Sequence, residues 1–455
     1  MSAGRERRVL ILGAGMVSRP AVRHFLDDAS CRVTVASLVP AEAEALVGGH
    51  PRGRPLTLDV SDAERCDAAV RDADLVVSLV PHAFHPAVAR AAIRHRADMI
   101  TASYVSPPMR ALDSEAREAG VTILNEIGLD PGIDHMSAMS MIDAAREAGE
   151  RIAGFTSCCG SLPAPEAAEE PWRYKFSWSP RGVLLAAKQP ARYLEHGRVI
   201  EVPAVDLADH VRPYDVEGVG RFEIYPNRDS LQYVEPYGLR GVETMLRATI
   251  RYPGWAATMQ ALTRLGLLDD EPRDWPVGMT YAGFIEAFGI GTAGTPAERL
   301  ARRLGPAHDP AVVARLLRAG LCADEPLPRP SASPLTILAE RLAERLAFAP
   351  GERDLVILRH ELEVRRQDRT RERRFSLLVA WGEENGDTAT ARTVALPCAV
   401  AGSLLLEGQL RAPGVQIPTR REIYRPILAR LEPLGIAFRE WSRPVPAGGR
   451  TASTP

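Results

Sequence analysis

The stretch Arg8-Val9-Leu10-Ile11-Leu12-Gly13-Ala14-Gly15-Met16-Val17-Ser18 decides the fold. Its four consecutive apolar residues read as a strand buried on both faces, ending in glycines ahead of a helical pattern over 17–28. In such a turn Gly13 permits the tight bend. Gly15 lets backbone N–H groups approach a pyrophosphate at the helix N-terminus, where the dipole favours anions. Ser18, at the third position, is small enough for close helix–strand packing. Alone, this dinucleotide fingerprint is weak, since a glycine turn that binds nothing reads the same; what surrounds it gives it weight.

Outward from it, further apolar runs follow at 31–38 (CRVTVASL), 54–60 (RPLTLDV), 74–81 (DLVVSLVP), 98–104 (DMITASY) and 121–128 (VTILNEIG). Helical patterns separate them: 40–47, opened by Pro40; 61–73, with Ser61 as its N-cap; 84–96; and 109–120. Strands spaced by single helices imply a doubly wound parallel sheet covered on both faces, a Rossmann domain over 1–128. Texture changes after Gly128. Residues 131–149 read as a helix with Pro131 in its first turn, and 152–250 as irregular strands. Residues 255–348 are helical, broken by a loop at 326–334. Two antiparallel strands are expected within 354–381, a helix over 393–410, and a disordered tail at 448–455.

The chain has 455 residues, enough for two or three domains. Its apolar share of 45% and charged share of 25% suit a soluble globular enzyme, and a net charge of -2 gives no basic excess for nucleic acid or anionic membrane. Six cysteines lie without metal-ligand spacing, which fits reduced thiols and a cytoplasmic protein; no signal peptide or membrane span is expected.

Ligands of open α/β sheets bind beyond the carboxyl ends of the strands. At the second strand's end an acid favours NAD and a base NADP; here stand Ser37, Leu38 and Val39, so the residues leave both cofactors open. Asp59 and Val60 follow the third strand, where adenine contact and helix capping are both open to Asp59. Ser78, Leu79 and Val80 end the fourth strand, and Ser103 and Tyr104 the fifth; their hydroxyls and backbone suit a nicotinamide pocket. His82 and His85 have no partners for a metal set and are expected in surface or capping roles. Asp130, before Pro131, reads equally as an N-cap and as a carboxylate that orients an amine. Asp134 and His135 read as structural. Cations in the runs 174–182, 225–230 and 249–252 (Lys175, Arg181, Arg228, Arg251) suit a ligand with several carboxylates, though a surface arginine is more often merely solvated.

Taken together, SLVPHAFHPAV, TASYVSP, ILNEIGLDPGIDH, CCGSLPAPE, YKFSWSPRGVL, YPNRDS and LRATIRYPG, in that order, resemble the saccharopine reductase family over almost the whole chain. The resemblance implies a Rossmann domain (1–128), a second α/β domain for substrate and dimerisation (129–254, with return strands 349–390), a helical insertion (255–348) and a C-terminal return to the Rossmann domain (391–455). It implies reversible formation of saccharopine from glutamate and 2-aminoadipate 6-semialdehyde with NADP(H), NAD(H) remaining possible, in a homodimer. It puts the cofactor turn on Gly13, Gly15, Met16 and Val17, acid–base groups on Asp130, Tyr104 and Cys159, and substrate contacts on Ser103, Lys175, Ser177, Arg228 and Thr249. Packing alone would also account for Tyr104 and Cys159. The family's Cys-Arg-Thr run after the second strand is here Ser37-Leu38-Val39, a departure that bears on the 2′-phosphate. A related reductive amination, or a nucleotide sensor without turnover, are the competing readings.

Overall fold

The computed structural model describes residues 6–306 and 308–445, so the expected tail at 448–455 lies outside the described residues. The chain divides into two compact units, Met1–Arg151 with Ser376–Glu440, and Ile152–Phe375 with Trp441–Pro455.

The first unit is the Rossmann sheet. Strands β1 (Arg7–Leu12), β2 (Cys31–Ser37), β3 (Gly53–Thr57), β4 (Leu75–Ser78), β5 (Asp98–Ile100) and β6 (Thr122–Leu124) are joined by a strand from the C-terminal segment, Gly414–Gln416. Their spatial order is Gly414–Gln416, β6, β5, β4, β1, β2, β3, all parallel, with Leu12 facing Ala36 on one side and Ser78 on the other. The order reverses beside β1, which makes its carboxyl end the topological switch point. Helices cover both faces because β1 and β4 are buried on both.

The first unit runs to Arg151 rather than ending at 128. Helix Ile133–Glu147 packs on helix Arg421–Leu431 of the same unit, and the Tyr424 hydroxyl donates to Asp143 Oδ2 at 2.7 Å. The helix expected at 393–410 is Ala389–Leu406. Thr388 caps it, accepting from the Ala391 N–H, and Gly408, at φ +71°, ends it. That helix is long and apolar enough to cross a membrane by composition, but it is mostly buried and Gly402 lies against Phe25 and Leu75 of the Rossmann core. The helix after β3 is capped by Asp62, not Ser61, whose hydroxyl donates to Asp59 Oδ1 at 2.7 Å.

Most of a mixed nine-stranded sheet lies in the second unit. Strands β7 (Arg151–Pro163), β8 (Ala191–Glu195), β9 (Arg198–Val202), β10 (Arg212–Val216), β11 (Gly220–Pro226) and β12 (Thr244–Arg251) are followed by Asp354–Arg365, Arg371–Trp381 and Arg439–Val445. The main path runs β10, β11, β12, β7, then those last three strands in chain order, with β8 and β9 attached beside β12. Five helices between Trp255 and Arg345 build a separate apolar core around Trp255, Leu262, Phe284, Leu316 and Leu338.

Candidate active site

The glycine turn sits where the sequence places it. Gly13 has φ +103°, and a Cβ there would come within 2.9 Å of the Leu79 carbonyl oxygen, so the first position admits only glycine. Its N–H donates to the Ala36 carbonyl at 2.9 Å, and the buried Ser18 hydroxyl donates to the Gly13 carbonyl at 2.9 Å. Gly15 is different: a Cβ there would meet nothing within 4 Å. The protein's own packing does not require this glycine, and the open space beside it fits a pyrophosphate. Met16, Leu38 and Val39 are 55%, 66% and 49% exposed, three of the seven large apolar side chains that stand exposed among the described residues. Apolar surface gathered at the ends of β1 and β2 suits the adenosine half of a dinucleotide. Val17 is half-buried behind them.

At the end of β2 the Ser37 hydroxyl donates to Glu42 Oε2 at 2.7 Å. The acid absent from the strand end is thus supplied by the first turn of the next helix. Asp59 is exposed and accepts from the N–H and hydroxyl of Ser61, which hold its pKa below the usual carboxylate range; it closes a turn and does not cap the helix. Val60 is half-buried against the Rossmann core.

The ends of β4 and β5 are tied together by His85, which corrects the surface role expected of it. Its ring is buried. Nδ1 lies 2.9 Å from the Ser78 hydroxyl, and Nε2 lies 2.8 Å from that of Ser103 and 3.2 Å from that of Thr101. Burial, with His82 nearby, pushes its pKa down to about 4, so the ring is a neutral connector at ordinary pH. Leu79 and Val80 continue from Ser78, and the Leu79 N–H donates to the Leu12 carbonyl at 2.8 Å.

Beyond β5 and β6 the structure brings Tyr104 and Asp130 together, the phenol donating to Asp130 Oδ1 at 3.1 Å. Asp130 is not an N-cap. Helix Ile133–Glu147 begins after Gly132, which has φ +148° and no room for a Cβ, 2.1 Å from the Gly128 oxygen. Asp134 satisfies that helix start, accepting from the N–H groups of Gly132 at 2.5 Å and His135 at 2.8 Å. The cap reading of Asp130 therefore falls, and its carboxylate belongs with Tyr104.

In the second unit, Cys159 of β7, Thr249 of β12 and Tyr225 of β11 are register partners, a cross-strand row on one face of the sheet. Ser161, two residues on from Cys159 and so on the same face, lies 2.9 Å, oxygen to oxygen, from the Ser177 hydroxyl. On the opposite face, burial and Glu361 push the Cys158 thiol up to about 12. Lys175 is buried and paired with Glu352, at 2.6 Å from Oε2, so its charge is already matched within the chain. Arg228 is half-buried on the loop after β11 at φ +54°, its carbonyl accepting from the Arg192 N–H at 2.9 Å. Two cations of these runs serve packing instead: Arg181 pairs with Asp270 at 2.7 Å, and buried Arg251 lies over the rings of Tyr174 and Trp255. Sequence reasoning misassigned His85 and missed Glu42 and Ser161. The alternation along β7 was the available signal for Ser161, whereas nothing local marked the other two.

Two family models match, the saccharopine dehydrogenase NADP binding domain over residues 9–124 and the saccharopine dehydrogenase C-terminal domain over 128–436. The saccharopine dehydrogenase [NADP(+), L-glutamate-forming] of Saccharomyces cerevisiae is 37% identical over 446 residues, covering 95% of this chain and 99% of that one. The mitochondrial alpha-aminoadipic semialdehyde synthase of Bos taurus is 38% identical over 456 residues; the chain covers 48% of it, so it spans about half the length of that relative. Among solved structures, apo saccharopine dehydrogenase (L-Glu forming) from Saccharomyces cerevisiae matches with a TM-score of 0.86 at 36% identity, covering 96% of this chain and all of that one.

Proposed function

Because the chain belongs to the saccharopine dehydrogenase family, we propose that it interconverts saccharopine with L-glutamate and 2-aminoadipate 6-semialdehyde, using NADP(H) as its cofactor. The observation that carries this reading is the Tyr104–Asp130 pair, which stands at the carboxyl ends of β5 and β6 in the unit that holds the dinucleotide turn. NADP(H) supplies the hydride chemistry when bound. Gly13, Gly15, Met16 and Val17 would hold its pyrophosphate, with Ser37, Asp59 and Val60 toward the adenosine end and Ser78, Leu79 and Val80 toward the nicotinamide end. In the oxidative direction the protonated secondary amine of saccharopine gives up a proton to the Asp130 carboxylate, which the Tyr104 phenol keeps in place. Loss of hydride, to NADP+ as oxidant, from the carbon that becomes the aldehyde leaves a protonated imine, and water adds to it, releasing glutamate and the aldehyde. Proton handling of this kind contributes about 10²- to 10⁴-fold in rate.

Within the second unit this reading assigns substrate carboxylates to Arg228 and to the hydroxyls of Ser177 and Thr249, and within the first it assigns a substrate contact to Ser103. Cys159, beside Thr249, is the second acid–base candidate. The same reading carries a homodimer in the cytoplasm, which sedimentation and cell fractionation would test. For the reaction, purified protein is given saccharopine with NADP+ or with NAD+, and nicotinamide reduction is followed alongside glutamate release. Reduction with stoichiometric glutamate supports the assignment. Cofactor binding without turnover of saccharopine would sink it in favour of another amine or of a sensor.

A further inference from the structure

Glu126 is held in a conformation that its residue type disfavours. Its φ is +56°, in the left-handed region where glycine costs least. A buried carboxylate kept at such a position points to a task for the side chain. Its contacts show which task. The Glu126 N–H donates to the Ser103 carbonyl at 3.1 Å, and the Val105 N–H donates to Glu126 Oε1 at 3.0 Å. Tyr104 lies between those two bonds. The other oxygen, Oε2, lies 2.8 Å from Nε2 of the fully buried His135. His135 stands in the first turn of the helix that follows the Asp130 loop, and its own N–H is fixed by Asp134. Residue 126 therefore holds both flanks of Tyr104, one through its backbone N–H and the other through its carboxylate, and that carboxylate also reaches the helix that follows the Asp130 loop.

We infer that Glu126, through His135, is the positioning residue that sets the Tyr104–Asp130 geometry for the reaction. This rests on the proposed saccharopine chemistry. Glycine at position 126 would relax the backbone and lose the clamp, whereas glutamine keeps an oxygen for the Val105 N–H and places its amide at His135 Nε2.

The test compares Glu126→Gly and Glu126→Gln with wild type in four measurements: melting temperature, NADPH Kd, saccharopine kcat and KM, and hydrogen exchange of the 101–110 and 126–136 segments. Glu126→Gly is expected to keep its melting temperature and its NADPH affinity. Its kcat should fall by about 10- to 100-fold, as for an ångström-scale misplacement of reacting groups, and exchange should quicken in both segments. Glu126→Gln should recover most of the kcat and the protection. Wild-type kcat in Glu126→Gly overturns the inference. So does a fall in kcat that only parallels a fall in melting temperature in both variants, since that is a purely structural role. If wild type itself fails to turn over saccharopine, the functional reading has failed, and the clamp is judged by exchange: unchanged protection at 101–110 in Glu126→Gly then overturns it.

Discussion

Asp130 is the residue at which two readings can be separated most cleanly. The helix start beside it is satisfied by Asp134, so Asp130→Asn removes a charge without removing a cap. Asparagine is nearly isosteric and still accepts the Tyr104 hydroxyl. We expect an unchanged melting temperature and a drop in kcat/KM of about 10²-fold or more. Wild-type kcat/KM would return Asp130 to a packing role. Arg228 makes a complementary prediction for the second unit. Arg228→Ala should mainly raise the saccharopine KM, by about 2–5 kcal/mol if a desolvated carboxylate is left without its fork, and Arg228→Lys should recover part of it. If both variants keep wild-type kcat/KM, the carboxylate is bound elsewhere. Glu42 carries the third prediction at this scale. Its carboxylate, on Ser37 at the ribose end, opposes a 2′-phosphate across exposed surface, an effect worth about 0.2–1 kcal/mol. Glu42→Gln should therefore tighten NADPH by about 1.4- to fivefold relative to NADH, less at high salt, and equal change for both cofactors would place Glu42 away from the 2′ position.

At the scale of elements, the strand ends matter more than the strands. His85 opens a helix and yet bonds to hydroxyls from β4 and from the segment after β5, so it links three elements. Its pKa is lowered from 6.5 to about 4, so the unfolded chain binds this proton more readily than the folded one. The linked stability is fully present above pH 6.5 and is lost as pH falls toward 4, by about 3 kcal/mol in all. Melting followed from pH 7 to 4 should show that loss in wild type, and His85→Asn should flatten part of it. His24, whose pKa burial also lowers, retains the rest. An unaltered slope would mean that His85 is protonated in the folded protein. This also shows where sequence was legible. The apolar runs of β1 and β4 identify their strands because double burial leaves no room for polar residues. Boundaries and caps were harder. Ser61 and Asp62 are both good capping types, and only the backbone geometry assigned the task to Asp62. Asp130 and Asp134 differ in the same way. His85 looked like a surface residue because the hydroxyls that bury it lie 7 to 18 residues away in the chain.

For the whole molecule, the consequence lies in how the first unit is assembled and what stabilises it. It draws on two distant stretches of chain, 6–151 and 376–440, and its sheet is complete only when Gly414–Gln416 pairs with β6. Contacts so far apart in sequence are entropically costly to gather, so a ligand that binds only the assembled unit has large leverage on its stability. At a free NADPH concentration of 100 times Kd, the linkage is about 2.7 kcal/mol, which slows hydrogen exchange about 100-fold for amides that open only by unfolding of the unit. That protection should appear in β1, β4 and β5 and equally in Gly414–Gln416, because all belong to one sheet. Gly15→Val provides the control: with nothing within 4 Å of its Cβ position, the larger side chain meets no protein atoms at that point and should leave the ligand-free exchange unchanged, while occupying the pyrophosphate's place. NADPH should then protect none of these strands. Protection that persists in Gly15→Val would move the cofactor away from the glycine turn, and protection of β1 without Gly414–Gln416 would show that the C-terminal strand opens separately from the sheet it completes.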